Sequence, residues 1–341
     1  MDELFCRVRR ALGERYELTR EIGGGGMSRV FLARERHPDR PVVVKVLPPD
    51  VADDAAARRF HHEIAVTARL QHPHVLPVLA AGDVDGLAYF VTPFLEGESL
   101  RHRLVGRGRL PIPEAVRVLH ELGDALAYAH RHGVVHRDVK PENVLVHDGH
   151  AVLADFGSAL LTGSGASVDR TLCVAMGTPG YMAPEQAAGD PALDARADVY
   201  SLGVLAYELL TGAPPFARPT PRAVLVAHLR ETAIPVERIR ADTPAALARL
   251  VGRALAKDPA HRPRSAVEFQ AALSVVRPTA AQRAATAPAS TATFRSRHWA
   301  ASGAVAVLAA VALVGAARHL SPAPPTPPPP PAAEPRQVLA P

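Results

Sequence analysis

Residues 136–143 read His-Arg-Asp-Val-Lys-Pro-Glu-Asn, Asp155-Phe156-Gly157 follows twelve residues later, and Ala183-Pro184-Glu185 comes next. Each triplet alone carries little information; their order carries a great deal. They stand behind a glycine-rich stretch at 23–26 and a single lysine, Lys45, set in a run of valines. A lysine in so apolar a strand is costly unless it has a partner. The chain therefore needs a fold that gathers these dispersed polar residues. At 341 residues, 48% of them hydrophobic, it is long enough for two lobes, each with its own interior.

The distribution of apolar residues divides the chain in the same way. Tyr16 to Glu96 is strand-rich, with short apolar runs at 42–47 and 88–91. Between these runs, Asp53 to Leu70 is predicted as one helix, capped by Asp53 or Asp54, with Phe60, Ile64, Thr67 and Leu70 at helical spacing. From Pro113 onward helices dominate: 113–131 with proline in its first turn, an almost wholly apolar 199–210, then 221–229, 244–256 and 265–273. A small β-rich part followed by a larger helical part is an α+β arrangement with a cleft between them.

Several function classes are excluded or disfavoured. The net charge of +5 comes from scattered arginines without a dense basic stripe, so no nucleic-acid partner is expected. Cys6 and Cys173 are too few for a disulfide framework or a cysteine-built zinc site, and suit a reducing compartment. The first fifteen residues are charged and lack the apolar run of a signal peptide. Residues 276–298 read as a disordered linker rich in Ala, Thr, Ser, Pro and Arg. Trp299 to Ala317 is uncharged and about 28 Å long as a helix at ~1.5 Å per residue, close to the thickness of a bilayer core. Taken alone it could be an Ala-rich core helix; a linker before it and a proline tract after it leave no core to join, which favours a transmembrane helix. Residues 318–341 should be extended polyproline.

Taken together, the motifs resemble the protein kinase family over about residues 16–275, and more specifically the bacterial membrane-anchored serine/threonine kinases. The resemblance implies a bilobal fold, with a β-rich N-lobe (16–96) holding one helix and a mainly helical C-lobe (97–275). It implies ATP as phosphoryl donor and Mg2+, or alternatively Mn2+, as metal. Ile22, Gly23, Gly24, Gly25, Gly26, Met27, Ser28 and Val30 match the phosphate-covering loop. There glycine lets backbone N–H groups approach oxygens without a Cβ in the way. Ser28 replaces the usual third glycine. A strand after the loop disfavours a dinucleotide site, and no Gly-Lys-Ser/Thr follows to make a P-loop.

By the same resemblance Lys45 takes the α/β-phosphates and Glu63 as partners; alone, they would read as an exposed strand lysine and a solvated helix glutamate. Asp138 is implied as the acceptor of the substrate hydroxyl's proton. Lys140, in the form usual for serine/threonine kinases, is implied to stabilise the transferring phosphate. Asn143 and Asp155 are implied as metal ligands. Pro93 and Leu95 match the adenine-binding hinge behind Thr92. Glu185 is implied to pair with Arg262, and Asp198 to hold the backbone of the catalytic segment. Arg137 before the catalytic aspartate implies capture of a phosphate on segment 155–185, which contains Thr162, Ser164, Ser167, Thr171 and Thr178. Thr171 is the leading candidate.

The expectation is thus a non-specific serine/threonine protein kinase anchored in the cell membrane by a single pass, its kinase domain cytoplasmic. Its partners would be protein substrates with Ser/Thr acceptors, the lipid bilayer, and a second copy phosphorylated in trans. The alternative is a pseudokinase-like docking module, against which stand Lys45, Glu63, Asp138, Asn143 and Asp155, all present.

Overall fold

The computed structural model describes residues 3–25, 28–49, 54–156, 159–161 and 179–276. The anticipated linker, transmembrane helix and proline-rich tail lie outside the described residues. So do Gly26, Met27 and Thr162, Ser164, Ser167, Thr171 and Thr178 of the activation segment.

An antiparallel five-stranded sheet, in the order β1-β2-β3-β5-β4, is built from β1 (Tyr16–Gly25), β2 (Ser28–Arg36), β3 (Asp39–Val46), β4 (Ala80–Val84) and β5 (Leu87–Pro93). Alternation along β3 buries Val42, Val44 and Val46 on one face and turns Val43 and Lys45 to the other. The first face packs with Tyr16, Leu18, Phe31 and Ala33 into a small core.

A helix absent from the sequence expectations closes this core: α1 (Glu3–Leu12) lays Val8 and Leu12 against the sheet, with Leu4, Phe5 and Ala11 at the edge. The smaller lobe therefore carries two helices rather than one. Its second, α2 (Asp54–Thr67), ends short of the expected Leu70. Beyond Thr67 the bonding tightens to i→i−3 turns, with Arg69 N–H donating to the Val66 carbonyl at 3.1 Å and Leu70 N–H to the Thr67 carbonyl at 3.0 Å.

The larger lobe is helical, as anticipated: α3 (Leu100–Arg107), α4 (Ile112–Arg131), α5 (Pro184–Ala188), α6 (Arg196–Thr211), α7 (Pro221–Arg230), α8 (Val236–Ile239), α9 (Ala245–Ala254) and α10 (Ala266–Ser274). Ser99, Thr220 and Ser265 cap α3, α7 and α10 by accepting a backbone N–H in the first turn. α6 is the axis of this lobe, buried from Ala197 to Leu210. Gly203 allows α9 to approach it: a Cβ there would stand 2.6 Å from that of Ala254. A three-stranded sheet, β6 (Gly97–Ser99), β8 (Val144–His147) and β9 (His150–Leu153), and the pair β7 (Val134–Val135) with β10 (Leu160–Leu161) lie on the side of the cleft residues.

Two outcomes follow from the packing. Leu12→Ala should lower the unfolding free energy by about 2–3 kcal/mol, although it lies far from the cleft residues; an unchanged denaturation midpoint would show that α1 is not part of the fold. The second concerns His228 of α7, fully buried, with Nδ1 2.9 Å from the Tyr200 hydroxyl. Burial, and then the Lys257 cation, push its pKa down to about 4. In the unfolded chain it takes a proton near pH 6.5. The unfolded state therefore binds more protons between those values, and stability should fall as the pH drops through that window, by ~2–3 kcal/mol. Denaturation at pH 7 and pH 4.5 should show a smaller loss for His228→Gln than for the wild type; equal losses would contradict the assignment.

Candidate active site

The β1–β2 hairpin brings the glycine stretch over the cleft face of the sheet. Gly23 pairs with Val30, Gly24 with Arg29 and Gly25 with Ser28. A Cβ on Gly23 would meet nothing within 4 Å among the described residues, so their packing does not demand glycine there. The open space is what a bound phosphate would use. Ile22 lies beside it, 37% exposed.

Lys45, one strand over, pairs with Val30 and Phe90 in the ladder. Its Nζ donates to both carboxylate oxygens of Glu63 on α2, at 2.8 and 3.0 Å, and lies 3.8 Å from Asp155 Oδ1. One ammonium thus faces two carboxylates. Burial opposes the charge on Lys45, but Asp155 and Glu63 outweigh it and hold the ammonium's pKa above its ordinary value. Glu63 is the deeper of the two acids; burial, with the Asp155 charge behind it, pushes its carboxyl up to about 7 despite Lys45. A cation arriving beside Asp155 would weaken the upward push that its charge gives Glu63.

The segment from His136 to Asn143 links β7 to β8 and ends in a 3-10 turn at Pro141–Asn143. Asp138 is its hub. Lys140 Nζ donates to Asp138 Oδ2 at 2.6 Å, and Asn143 Nδ2 donates to the same oxygen at 3.0 Å and to the Asp138 carbonyl at 2.9 Å. Burial raises the proton affinity of Asp138 above that of an ordinary aspartate, with Lys140 counteracting.

His136 accepts the Asp138 N–H on Nδ1 and packs on Phe156, ring centroids 4.5 Å apart. Nε2, the remaining donor, faces the Ala154 carbonyl at 3.2 Å. Arg137 and Asp155 have φ of 69° and 66°, a region that non-glycine residues enter at a cost and that is concentrated at functional sites. What holds Arg137 there is Asp198 on α6, fully buried. Its two oxygens accept the N–H groups of His136 and Arg137, both at 2.8 Å, and Oδ2 also meets His130 Nε2 at 2.7 Å. Burial alone would raise the Asp198 pKa, but the His130 imidazole and these N–H groups hold it below the usual range.

Asp155 follows β9, half-exposed at the cleft, while Phe156 beside it is fully buried. The Ala154 N–H donates to the Asn143 carbonyl at 2.8 Å, tying the two segments together. With its amide N–H committed to Asp138, Asn143 has its side-chain oxygen left to offer. A carboxylate and an amide oxygen are hard donors of the kind magnesium accepts, and two protein ligands suit a metal that takes the rest of its shell from phosphate and water. Among the described residues no three His, Cys, Asp or Glu side chains are grouped as a metal cage.

Below the cleft, Glu185 and Arg262 form a bidentate pair at 2.6 and 2.7 Å. The buried guanidinium also donates to the carbonyls of Arg196, Ala256 and Lys257. Pro93 ends β5, with Leu95 just beyond it and Thr92 buried behind.

Three contributors were not anticipated. His130 pairs with Asp198, Gln186 Nε2 donates to the Arg137 carbonyl at 2.9 Å, and Arg101 joins Glu142, Tyr181 and Glu208. An aspartate inside an apolar helix signals that a partner must exist, but nothing in the sequence says which residue supplies it.

A family model described as Protein kinase domain matches residues 16–273. The chain is 41% identical over 269 residues to the serine/threonine-protein kinase PknB of Mycolicibacterium smegmatis, an alignment covering 77% of this chain and 43% of that protein. The serine/threonine-protein kinase PknB of Mycobacterium leprae is 40% identical over 268 residues, covering 77% and 43%. For the serine/threonine-protein kinase PrkC of Bacillus subtilis the identity is 34% over 266 residues, covering 77% and 41%. The match thus spans less than half the length of these relatives. The family model covers most of this chain, and the chain belongs to the protein kinase domain family.

Proposed function

We propose that this chain is an active serine/threonine protein kinase that moves the γ-phosphoryl group of ATP to Ser/Thr hydroxyls of proteins. The observation that carries the reading is the linked set Lys45–Glu63, Asp155 and Asp138–Lys140–Asn143, complete and gathered at one cleft.

In this reading the Pro93 carbonyl and the Leu95 N–H meet the adenine. The hairpin from Ile22 to Val30 covers the phosphates, with Lys45 on the α/β oxygens. Asp155 and Asn143 hold Mg2+, which supplies charge neutralisation at the phosphates. The acceptor hydroxyl oxygen attacks the γ-phosphorus as the bond to the β-phosphate oxygen breaks. ADP leaves, and the hydroxyl proton passes to Asp138, whose raised proton affinity suits a base. Lys140 steadies the transferring phosphoryl group. Arg137 is the docking charge for a phosphate on Thr171.

The wider organisation belongs to the same proposal: a juxtamembrane linker at 276–298, a transmembrane helix at 299–317 and a proline-rich tail at 318–341, with the kinase domain on the ATP-bearing cytoplasmic side. Phosphorylation in trans by a second copy fits such an anchor. Among the described residues no helix is long and apolar enough to cross a membrane, and 299–317 lies outside them. The reading rests there on the uncharged segment of bilayer length.

Incubation with labelled ATP and magnesium tests the activity. Asp155→Asn and Lys45→Met should each lose about 3–4 kcal/mol of transition-state stabilisation, or ~10²–10³ in rate. Rates within about tenfold of wild type would overturn the assignment, and a wild-type chain that binds ATP without transfer would favour the docking module. Mass spectrometry of the active protein should find phosphate on Thr171. Protease added to spheroplasts should trim the tail and spare a kinase-sized fragment; digestion of the kinase domain would reverse the topology, and a fully soluble product would remove the membrane span.

A further inference from the structure

The second residue of α3, Arg101, uses each guanidinium nitrogen on a different element. Nε donates to Glu142 Oε1 at 2.8 Å, Nη1 to Glu208 Oε1 at 2.7 Å and Nη2 to the Tyr181 hydroxyl at 2.6 Å. The Tyr181 hydroxyl in turn donates to the other Glu208 oxygen. Glu142 lies in the 3-10 turn between Pro141 and Asn143. Tyr181 closes the turn Pro179–Tyr181, where the chain returns from the activation segment. Glu208 is on α6, the helix whose Asp198 holds the backbone of His136 and Arg137.

The contact is buried at its Glu208 and Tyr181 end and open at its Glu142 end. The Glu208 side chain is 3% exposed, that of Arg101 31% and that of Glu142 41%. A buried carboxylate without its cation is strongly disfavoured. A planar fork can reach three partners in three directions at once, whereas a lysine ammonium is a point charge on a flexible stem. Burial, and then the neighbouring Glu208, push the Tyr181 hydroxyl's pKa upward, so it stays protonated and remains a donor to Glu208.

Resting on the kinase reading above, we propose that Arg101 is a positioning residue for phosphoryl transfer. Its guanidinium fixes the Asp138–Asn143 segment against the acceptor-side turn at Tyr181. The cage of Glu142, Glu208 and Tyr181 that it fills is a guanidinium site, open to a guanidinium from solution when the side chain is removed. Arg101 touches no reacting atom, and the nucleotide-side residues Lys45, Glu63 and Asp155 are not among its partners. Its loss should therefore act on transfer and on the acceptor rather than on ATP.

The test is steady-state kinetics of the full chain with a protein acceptor. Arg101→Ala should lower kcat by ~10–10²-fold, the scale of a small misplacement transmitted to a reacting group, with KM for ATP unchanged. Non-denaturing guanidinium should restore part of that loss. Arg101→Lys should remain impaired and should not respond. Tyr181→Phe, which keeps the buried ring and removes only the hydroxyl, should show the same kcat-selective defect in weaker form, and it decides the matter if Arg101→Ala does not fold. Full activity of Arg101→Ala or Tyr181→Phe beside an active wild type would overturn this role alone. So would a rise in KM for ATP that accounts for the defect, or a loss that guanidinium leaves untouched. A wild-type chain that transfers no phosphate overturns the kinase reading and this role together.

Discussion

The site depends first on one buried carboxylate. Asp198 has no access to solvent, so its charge must be met entirely by the protein. It is met by two backbone N–H groups from the segment that carries Asp138, and by His130. Because the accepted groups belong to the backbone, the interaction fixes the path of the chain rather than the identity of its side chains. It holds Arg137 at positive φ, and from there Asp138, Lys140 and Asn143 close on one another. α6 is thus both the axis of the hydrophobic core and the anchor for the polar segment above it.

The two acids nearest Lys45 are coupled. Lys45 serves Glu63 and stands near Asp155, while burial, with the Asp155 charge behind it, raises the Glu63 pKa. A cation beside Asp155 would weaken the repulsion that Glu63 feels from it. The same coupling makes Glu63 sensitive to whatever occupies the neighbourhood of Asp155, although the two residues are far apart in sequence.

Much of this could be read from the chain, for reasons that differ by element. β3 was legible because a lysine among valines can face only one side of a strand. α6 was legible because an unbroken apolar run must be buried. Asp198 and Arg262 were legible through the motifs around them. α1 was overlooked because its charged residues dominate the composition, while Leu4, Phe5, Val8, Ala11 and Leu12 mark an apolar helical face among them. The end of α2 was not legible because Leu70 keeps the apolar spacing while the backbone has already tightened into i→i−3 turns. The Arg101 cluster could not be read at all: its four members come from α3, the turn at 141–143, the turn at 179–181 and α6, and only the fold brings them together.

α1 also bears on what counts as a module here. The recognisable pattern begins at Tyr16, but the hydrophobic core beneath the sheet includes Val8 and Leu12 upstream of it. Fragments cut at the edge of the pattern would keep every chemical group of the cleft yet lose a wall of the lobe that supports them. Any partner or fusion joined to this helix would bear on the face of the sheet opposite the one that carries Lys45.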